Sequence, residues 1–148
     1  ARQINNNMGG FVADAAIRQM ILAGINVRYA KVAVYGITFK EDCNDIRNSK
    51  VVDIINRLKE FGVDPLVTDP MADPEEVLKE YGVELADADE IADMDCIIFA
   101  VAHSGFREMS MQEVRALYGD REPRVLIDVK GMFKRSQLMD EGYCYWRL

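Results

Sequence analysis

Three residues of one segment could together hold a phosphorylated ligand. Phe39, Lys40 and Arg47 lie within residues 34–49, which read VYGITFKEDCNDIRNS. A β-branched run ends at Gly36, and a helix is predicted to begin where this segment ends. Ligands of parallel α/β sheets bind in the crevice beyond the carboxyl ends of the strands. A loop there that offers an aromatic ring, two cations and a helix N-terminus suits a phosphorylated ligand that contains a ring.

The glycine-rich loop that ordinarily binds dinucleotides is missing from this segment. Gly36 is followed by Ile37 and Thr38, whereas the dinucleotide motif needs further glycines. Asp69 resembles in position the acidic residue that contacts a ribose in dinucleotide folds, but it precedes Pro70, and the glycine-rich loop of those folds is missing. A turn role for Asp69 is therefore the better interpretation, and the pattern favours a nucleotide other than an ordinary dinucleotide.

Size and charge restrict the class of protein. The chain has 148 residues, of which 49% are hydrophobic, enough for one domain with a packed core. Its net charge of −7, without a basic stripe, argues against nucleic acid or an anionic membrane as a partner. The longest apolar runs, such as residues 96–102, are too short to span a bilayer, and no signal peptide is visible. Cys43, Cys96 and Cys144 form no paired motif, which is typical of reduced thiols in a cytoplasmic protein.

Strands and helices alternate along the chain, which predicts an α/β fold with a doubly wound, mainly parallel, Rossmann-like sheet. An N-terminal helix precedes the alternation, and its Gly9–Gly10 pair is expected to weaken or bend it. The apolar run at residues 96–102 is predicted to be the central strand. Strands are predicted at residues 31–37, 64–68, 83–85, 96–102, 125–129 and 143–146, and helices at 1–23, 49–61 (capped by Asn48 or Ser49), 73–81, 88–92 and 111–118.

Residues 36–50 resemble the opening of the C-terminal UDP-sugar-binding domain of the UDP-glucose/GDP-mannose dehydrogenase family. That opening follows roughly the pattern G-x-x-F-K-x-x-x-x-D-x-R-x-S. The pattern is met here by Gly36, Phe39, Lys40, Asp45, Arg47 and Ser49, and further matches are the stretches at 68–70, 100–103, 127–131 and 145–148. The variants present are most similar to the subgroup that acts on UDP-N-acetylhexosamines to make uronic acids for surface polysaccharides.

The resemblance implies that this chain is part of an NAD-dependent nucleotide-sugar 6-dehydrogenase. Residues 1–30 resemble the end of the family's central helical, dimerising segment, and residues 31–148 its UDP-sugar-binding domain. The chain opens inside a helix without an initiator methionine, so we expect it to belong to a longer protein. The family binds NAD through an N-terminal domain and uses a cysteine in a Gly-Phe-Gly-Gly-x-Cys motif, and neither motif is present here. The chain alone is therefore expected to bind a UDP-sugar as a homodimer, without a metal and without catalysis.

The resemblance also assigns expected roles to individual residues. Lys40 would place a cation near the diphosphate and the sugar. Phe39 would either stack beside the nucleotide or cap the core at the sheet edge, and both alternatives stay open. Arg47 would contact the ligand or, with slightly better support, tie the loop to a neighbouring carboxylate. Lys130 would contact the ligand after a late strand, and Arg2 could contribute a cation to the neighbouring subunit's site.

Two other classes of protein share the alternation of strands and helices. An independent dinucleotide-binding module would bind NAD, and the absent glycine loop disfavours it. A non-enzymatic, receiver-like module needs an acidic pair after the first strand, where this chain has residues 36–38, Gly-Ile-Thr. His103, the single histidine, has no metal-ligand spacing with another histidine or a cysteine, and a structural role is the default for it.

Overall fold

A computed structural model of the chain describes residues 8–148. Arg2 and the predicted beginning of the first helix lie outside the described residues. Within them, helices and strands alternate almost throughout, as the hydrophobic pattern predicts. In chain order the elements are α1 (Met8–Leu22), β1 (Val32–Tyr35), α2 (Val51–Glu60), β2 (Leu66–Thr68), α3 (Pro74–Tyr81), β3 (Cys96–Phe99), α4 (Ser104–Arg107), α5 (Met111–Ala116), β4 (Arg124–Asp128), α6 (Arg135–Asp140) and β5 (Tyr143–Arg147), with short 3₁₀ turns at Val27–Tyr29 and Ala88–Glu90.

The five strands form one parallel sheet in the order β2–β1–β3–β4–β5. This order confirms the doubly wound α/β fold, with β3 at its centre. From β1 the chain crosses outward to β2 and then returns to β3 on the other side of β1. The carboxyl ends of β1 and β3 therefore flank the topological switch point, where this class of sheet leaves a crevice for ligands.

The core lies on both faces of the sheet, because alternate side chains of each strand point to opposite sides. Helices α1 and α2 cover one face, on which Val34 and Ile98 are buried, while α5 and α6 cover the other, on which Tyr35 and Phe99 are buried. Helix α1 contributes its own apolar side to the first of these faces. Its buried residues there are Val12, Ala13, Ala16, Ile17 and Met20.

Helices α1 and α2 pack against each other so closely that one position of α1 must be glycine. A Cβ atom added to Gly9 would lie 2.4 Å from the Cβ of Asp53 and 3.0 Å from the backbone nitrogen of Ile54. Gly10 has open space at the same position. Helix α1 is continuous from Met8 through both glycines.

Several local predictions need correction. Predicted strand 83–85 is reduced to a single bridge between Leu85 and Val67. Asn48 does not cap α2, because it takes a left-handed conformation (φ 61°), and the cap position is Lys50. Ser49 instead accepts a hydrogen bond from the N–H of Val51 through its Oγ (3.2 Å). Helices α4 and α6, of four and six residues, were not predicted.

Candidate functional site

A small cavity of about 100 Å³ opens where β1, β3 and β4 end, between the N-terminal ends of α1 and α2. Ligand pockets usually measure roughly 300–1,000 Å³. This cavity is smaller, so it has room for only a part of a ligand of nucleotide size. Its lining is apolar at the base and cationic at the rim. The lining residues include Met8, Gly9, Val12, Thr38, Phe39, Lys40, Lys50, Val51, Ile54, Ala100, Val101, Val129 and Lys130.

Three lysines meet at this cavity. Lys40 comes from the loop after β1, Lys50 precedes the first residue of α2, and Lys130 follows β4; all three are exposed. Phe39 also lines the cavity and is 55% exposed, so it does not fill the core. The positive end of the α2 dipole lies beside the same lysines, because Val51 is the first residue of that helix. This combination suits an anionic ligand with a planar ring.

A close contact lies behind Val101, one of the residues that line the cavity. Gly36, with φ of 101°, approaches β3 so closely that an added Cβ would lie 2.6 Å from the Cβ of Val101. A left-handed φ and this contact both exclude other residues at position 36. The glycine retained from the family pattern therefore joins the end of β1 to the end of β3, and it does not cradle a phosphate.

A buried carboxylate anchors the loop that carries Phe39 and Lys40. Asp69, directly after β2, accepts hydrogen bonds through Oδ2 from the backbone N–H of Ile37 (2.7 Å) and Thr38 (3.2 Å). Its Oδ1 accepts from the N–H of Met71 (2.7 Å), within its own turn. The turn role expected for Asp69 is thus confirmed, and the same side chain also fixes the loop after β1.

His103 completes this support. Its Nε2 lies 3.0 Å from Asp69 Oδ2, and its Nδ1 accepts a hydrogen bond from the backbone N–H of Asp42 (2.9 Å). His103 is 1% exposed, and the described residues contain no group of three or more His, Cys, Asp or Glu side chains that could hold a metal ion. The carboxylate of Asp42 in turn accepts hydrogen bonds from the N–H and the hydroxyl of Ser104. These two bonds lower the pKa of the Asp42 carboxyl below its ordinary value.

Arg47 does not line the cavity. Its guanidinium donates two hydrogen bonds to Asp45, from Nε to Oδ1 and from Nη2 to Oδ2, both at 3.0 Å. This pairing lowers the pKa of the Asp45 carboxyl. Asp45 also accepts the backbone N–H of Arg47, and its own carbonyl accepts the N–H of Phe39 (2.7 Å). Arg47 thus stiffens the turn next to Phe39, and its side chain faces a separate groove with Glu76 and Lys79.

Lys130 is carried by a second loop with a buried carboxylate of its own. Asp128, the last residue of β4, accepts hydrogen bonds from the backbone N–H of Met132 (2.9 Å) and Phe133 (3.0 Å). The hydroxyl of Tyr145 donates to the same carboxylate (2.6 Å). Asp128 is fully buried. The loops of Lys40 and Lys130 are therefore both anchored on carboxylates that have no role at the surface.

The loop after β1 does not fit the diphosphate of a dinucleotide in the usual way. In dinucleotide folds the backbone N–H groups of the glycine-rich turn bind the pyrophosphate. Here the corresponding N–H groups, of Ile37 and Thr38, are buried and already bonded to Asp69. The described residues thus lack the amide cradle that NAD would need at this loop.

The sequence identified some residues of the cavity and missed others. Phe39, Lys40 and Lys130 share the cavity, Arg47 lies outside it, and Arg2 is not among the described residues. Lys50 was not singled out; the signal for it was its position at the start of a helix, at the end of the loop that carries Phe39 and Lys40. In the part of the chain that is described, no helix is long and apolar enough to cross a membrane.

The fold and this cationic cavity are those of a nucleotide-binding α/β domain, and comparison with known proteins identifies its family. Residues 33–135 match the model of the UDP binding domain of the UDP-glucose/GDP-mannose dehydrogenase family, so the chain belongs to this family. It is 35% identical over 147 residues to protein CapL of Staphylococcus aureus, covering 99% of this chain and 34% of CapL. It is 37% identical over 136 residues to the UDP-N-acetyl-D-glucosamine 6-dehydrogenase of Salmonella typhi, covering 92% of this chain and 32% of that enzyme.

Solved structures agree with the fold. The UDP-N-acetyl-mannosamine dehydrogenase Cap5O of Staphylococcus aureus matches 99% of this chain with a TM-score of 0.70 at 27% identity. An NDP-N-acetyl-D-galactosaminuronic acid dehydrogenase of Methanosarcina mazei matches 99% of it with a TM-score of 0.85 at 22% identity. This chain spans about a third of the length of the relatives it matches.

Proposed function

We propose that this chain is the substrate-binding part of an NAD-dependent dehydrogenase that oxidises C6 of a UDP-N-acetylhexosamine to the uronate. One observation carries the proposal: Lys40, Lys50 and Lys130 meet around one cavity at the switch point of the sheet, beside the N-terminus of α2. The chain is acidic overall, at −7, so this local excess of positive charge is a property of the cavity. The relatives named for UDP-N-acetyl-sugars support the class of substrate.

In this proposal the three lysines and the start of α2 bind the diphosphate, because cations and a helix N-terminus both attract phosphate oxygens. Phe39 lies beside the uracil, where an exposed ring offers a stacking surface. Arg47 has an indirect role: its two hydrogen bonds to Asp45 stabilise the turn that precedes Asp45. Binding the UDP end fixes the position of the sugar relative to catalytic groups on the rest of the enzyme, which is catalysis by positioning.

The remaining functions belong to the parent enzyme. NAD would be bound by the N-terminal domain expected from the family, and the chain alone would bind its substrate without turning it over. Residues 1–30 would end the central helical domain and take part in a cytoplasmic homodimer. In support, α1 exposes large apolar side chains at Phe11 (55%), Ile21 (60%) and Leu22 (73%), which a second subunit could cover.

Thermal shift and isothermal titration calorimetry test the binding proposal. We expect UDP and UDP-N-acetylglucosamine to raise the melting temperature of the chain, since they bind the folded state, whereas NAD leaves it unchanged. Lys40→Ala should weaken binding about tenfold, as expected for a lost charge-assisted hydrogen bond. Lys59→Ala removes the same charge at the opposite end of α2 and serves as the control. Stabilisation by NAD without stabilisation by UDP would contradict the proposal.

A further inference from the structure

His103 joins two segments that the cavity needs in fixed positions. Its ring contacts Asp69 after β2 through Nε2 and the backbone of Asp42, in the loop after β1, through Nδ1. Thr38 Oγ1 lies 3.3 Å from the same Nε2 and donates a hydrogen bond to the carbonyl oxygen of Lys40 (2.9 Å). We call these contacts the His103 bridge. They hold both ends of the turn, residues 38–42, that presents Phe39 and Lys40 to the cavity.

The bridge requires one particular form of the imidazole. Nδ1 faces a backbone N–H, which can only donate, so Nδ1 must be the unprotonated, accepting nitrogen. The proton therefore resides on Nε2, where it faces the carboxylate of Asp69. A second proton, on Nδ1, would point at the N–H of Asp42 and exclude that hydrogen bond. The arrangement thus exists only with neutral imidazole.

We propose that His103 is a positioning residue of the ligand site, and that its neutral form, protonated on Nε2, is the form that binds the nucleotide sugar. This inference rests on the proposed function, because it concerns the same cavity. His103 itself is buried beneath the loop and does not line the cavity. Its effect reaches the ligand through the backbone positions of Phe39 and Lys40.

The surroundings of the ring contain both signs of charge. Asp69 faces Nε2, the carboxylate of Asp42 lies beyond Nδ1, and Arg107 of α4 donates from Nε to the carbonyl oxygen of Ala102 next to the ring. On its remaining side the ring packs against Phe106, with 5.3 Å between ring centres. A second proton on the ring would therefore be gained only with loss of the hydrogen bond from the Asp42 N–H.

Binding is best measured with UDP-N-acetylglucosamine, because each of its phosphates carries one ester and one anhydride bond and lacks the ionisation near pH 6 of a terminal phosphate. At pH 7.5 we expect His103→Ala to weaken binding at least tenfold. His103→Gln keeps a donor for Asp69 and His103→Asn keeps an acceptor for the Asp42 N–H, so each should lose severalfold less. This rescue by variants that each restore one contact is a readout that a loss of folding stability alone would not produce.

Nuclear magnetic resonance reads the ring directly, since this chain contains a single histidine. The ¹⁵N shifts at pH 7.5 should show a neutral ring protonated on Nε2, both before and after UDP-N-acetylglucosamine is added.

A control separates positioning from stability. Tyr118→Phe removes another buried hydrogen bond, from the hydroxyl to the carbonyl oxygen of Val125 (2.6 Å), far from the cavity, and should lower stability without changing affinity. An affinity of His103→Ala equal to that of wild type would overturn the inference, as would a ring that is protonated on Nδ1. If wild type does not bind UDP-N-acetylglucosamine at all, the proposed function has failed instead.

Discussion

At the scale of residues, the site separates its buried carboxylates from its exposed cations. Asp69 and Asp128, each at or next to the end of a strand, accept hydrogen bonds from the loops that carry Lys40 and Lys130. A carboxylate saturated in this way has little affinity left for a lysine side chain. The lysines therefore remain available for a ligand, even though acidic residues outnumber basic ones by 25 to 18.

The buried tyrosine at the end of β1 leads to a prediction about alkaline stability. Burial raises the pKa of Tyr35 from 10.0 to about 12. As pH rises, the unfolded chain loses this proton first, so the stability that Tyr35 contributes below pH 10 is lost between about pH 10 and 12. Relative to wild type, Tyr35→Phe should therefore gain about 2 kcal/mol in the free energy of unfolding across this interval.

Urea unfolding of both proteins at pH 9, 10, 11 and 12 measures this difference. The comparison cancels the ionisation of lysines, which both chains share. A difference in unfolding free energy that stays constant with pH would show that Tyr35 ionises in the folded protein as readily as in the unfolded one.

At the same scale, some parts of the site could be predicted from sequence and others could not. The motif around Lys40 was recognisable because its residue types and spacing are specific. The role of His103 was not, because a single histidine carries no spacing, and its partners Asp42 and Asp69 lie 61 and 34 positions away. Only the fold brings the ends of β2 and β3 together, so no local sequence pattern predicts the contact between Asp69 and His103.

At the scale of elements, the crossing of α1 and α2 sets the width of the cavity. Residues of both helices line its rim, and the two helices are in close contact at Gly9, opposite Asp53 and Ile54. The hydrophobic pattern predicted both helices, but it could not predict their distance, which depends on one absent side chain. The pair Gly9–Gly10 suggested a weak helix, whereas the structure assigns close packing to Gly9 alone.

The two adjacent glycines of α1 should respond oppositely to the same substitution. Gly9→Ala places a methyl group against the backbone of α2 and should cost about 1–3 kcal/mol, as overpacked sites do. It should also weaken UDP-N-acetylglucosamine binding, because α1 must move away from Lys50 and Val51. Gly10→Ala meets open space and should gain about 0.5–1 kcal/mol from its better helix propensity.

Denaturant unfolding measures the change in stability of both variants, and calorimetry measures their affinity for UDP-N-acetylglucosamine. Each variant is the other's control. A Gly9→Ala protein as stable as Gly10→Ala, with unchanged affinity, would show that α1 and α2 are not held at this distance in solution.

At the scale of the whole molecule, the strand order does not by itself determine the ligand. The order β2–β1–β3–β4–β5 is also that of flavodoxin-like and receiver folds, which place different chemistry at the same switch point. Here the loops make the difference: Asp69 occupies the amides that a glycine loop would offer, and lysines from two loops, after β1 and after β4, line the cavity. This is why the fold class followed from the alternation of elements, while the ligand had to be inferred from the motif.

The shared core of α1 and the sheet leads to the last prediction. The proposed boundary at residue 30 reflects the family's domain order, yet α1 buries Val12, Ile17 and Met20 against the sheet. A chain that begins at residue 26 would expose this face of the sheet to water. Burial of each large apolar side chain contributes about 1.5–3 kcal/mol, so the loss of these residues and of the sheet surface that they cover is comparable with the 5–15 kcal/mol that stabilises most domains. We therefore expect the shortened chain to lose cooperative thermal unfolding and to bind hydrophobic dyes.

Two neighbouring substitutions in the 148-residue chain separate the effect of a disrupted core from the effect of shortening the chain. Met20→Lys places a charge at a fully buried position and should abolish cooperative unfolding as the truncation does. Ile21→Lys places the same charge at a position that is 60% exposed, so it should keep cooperative unfolding and lose only the proposed self-association, measured by sedimentation. A shortened chain that melts cooperatively near the wild-type temperature and binds UDP-N-acetylglucosamine would show that the sheet folds without α1. The N-terminal helix would then belong to the parent enzyme's assembly alone, and the cavity would depend on β1, β3, β4 and α2.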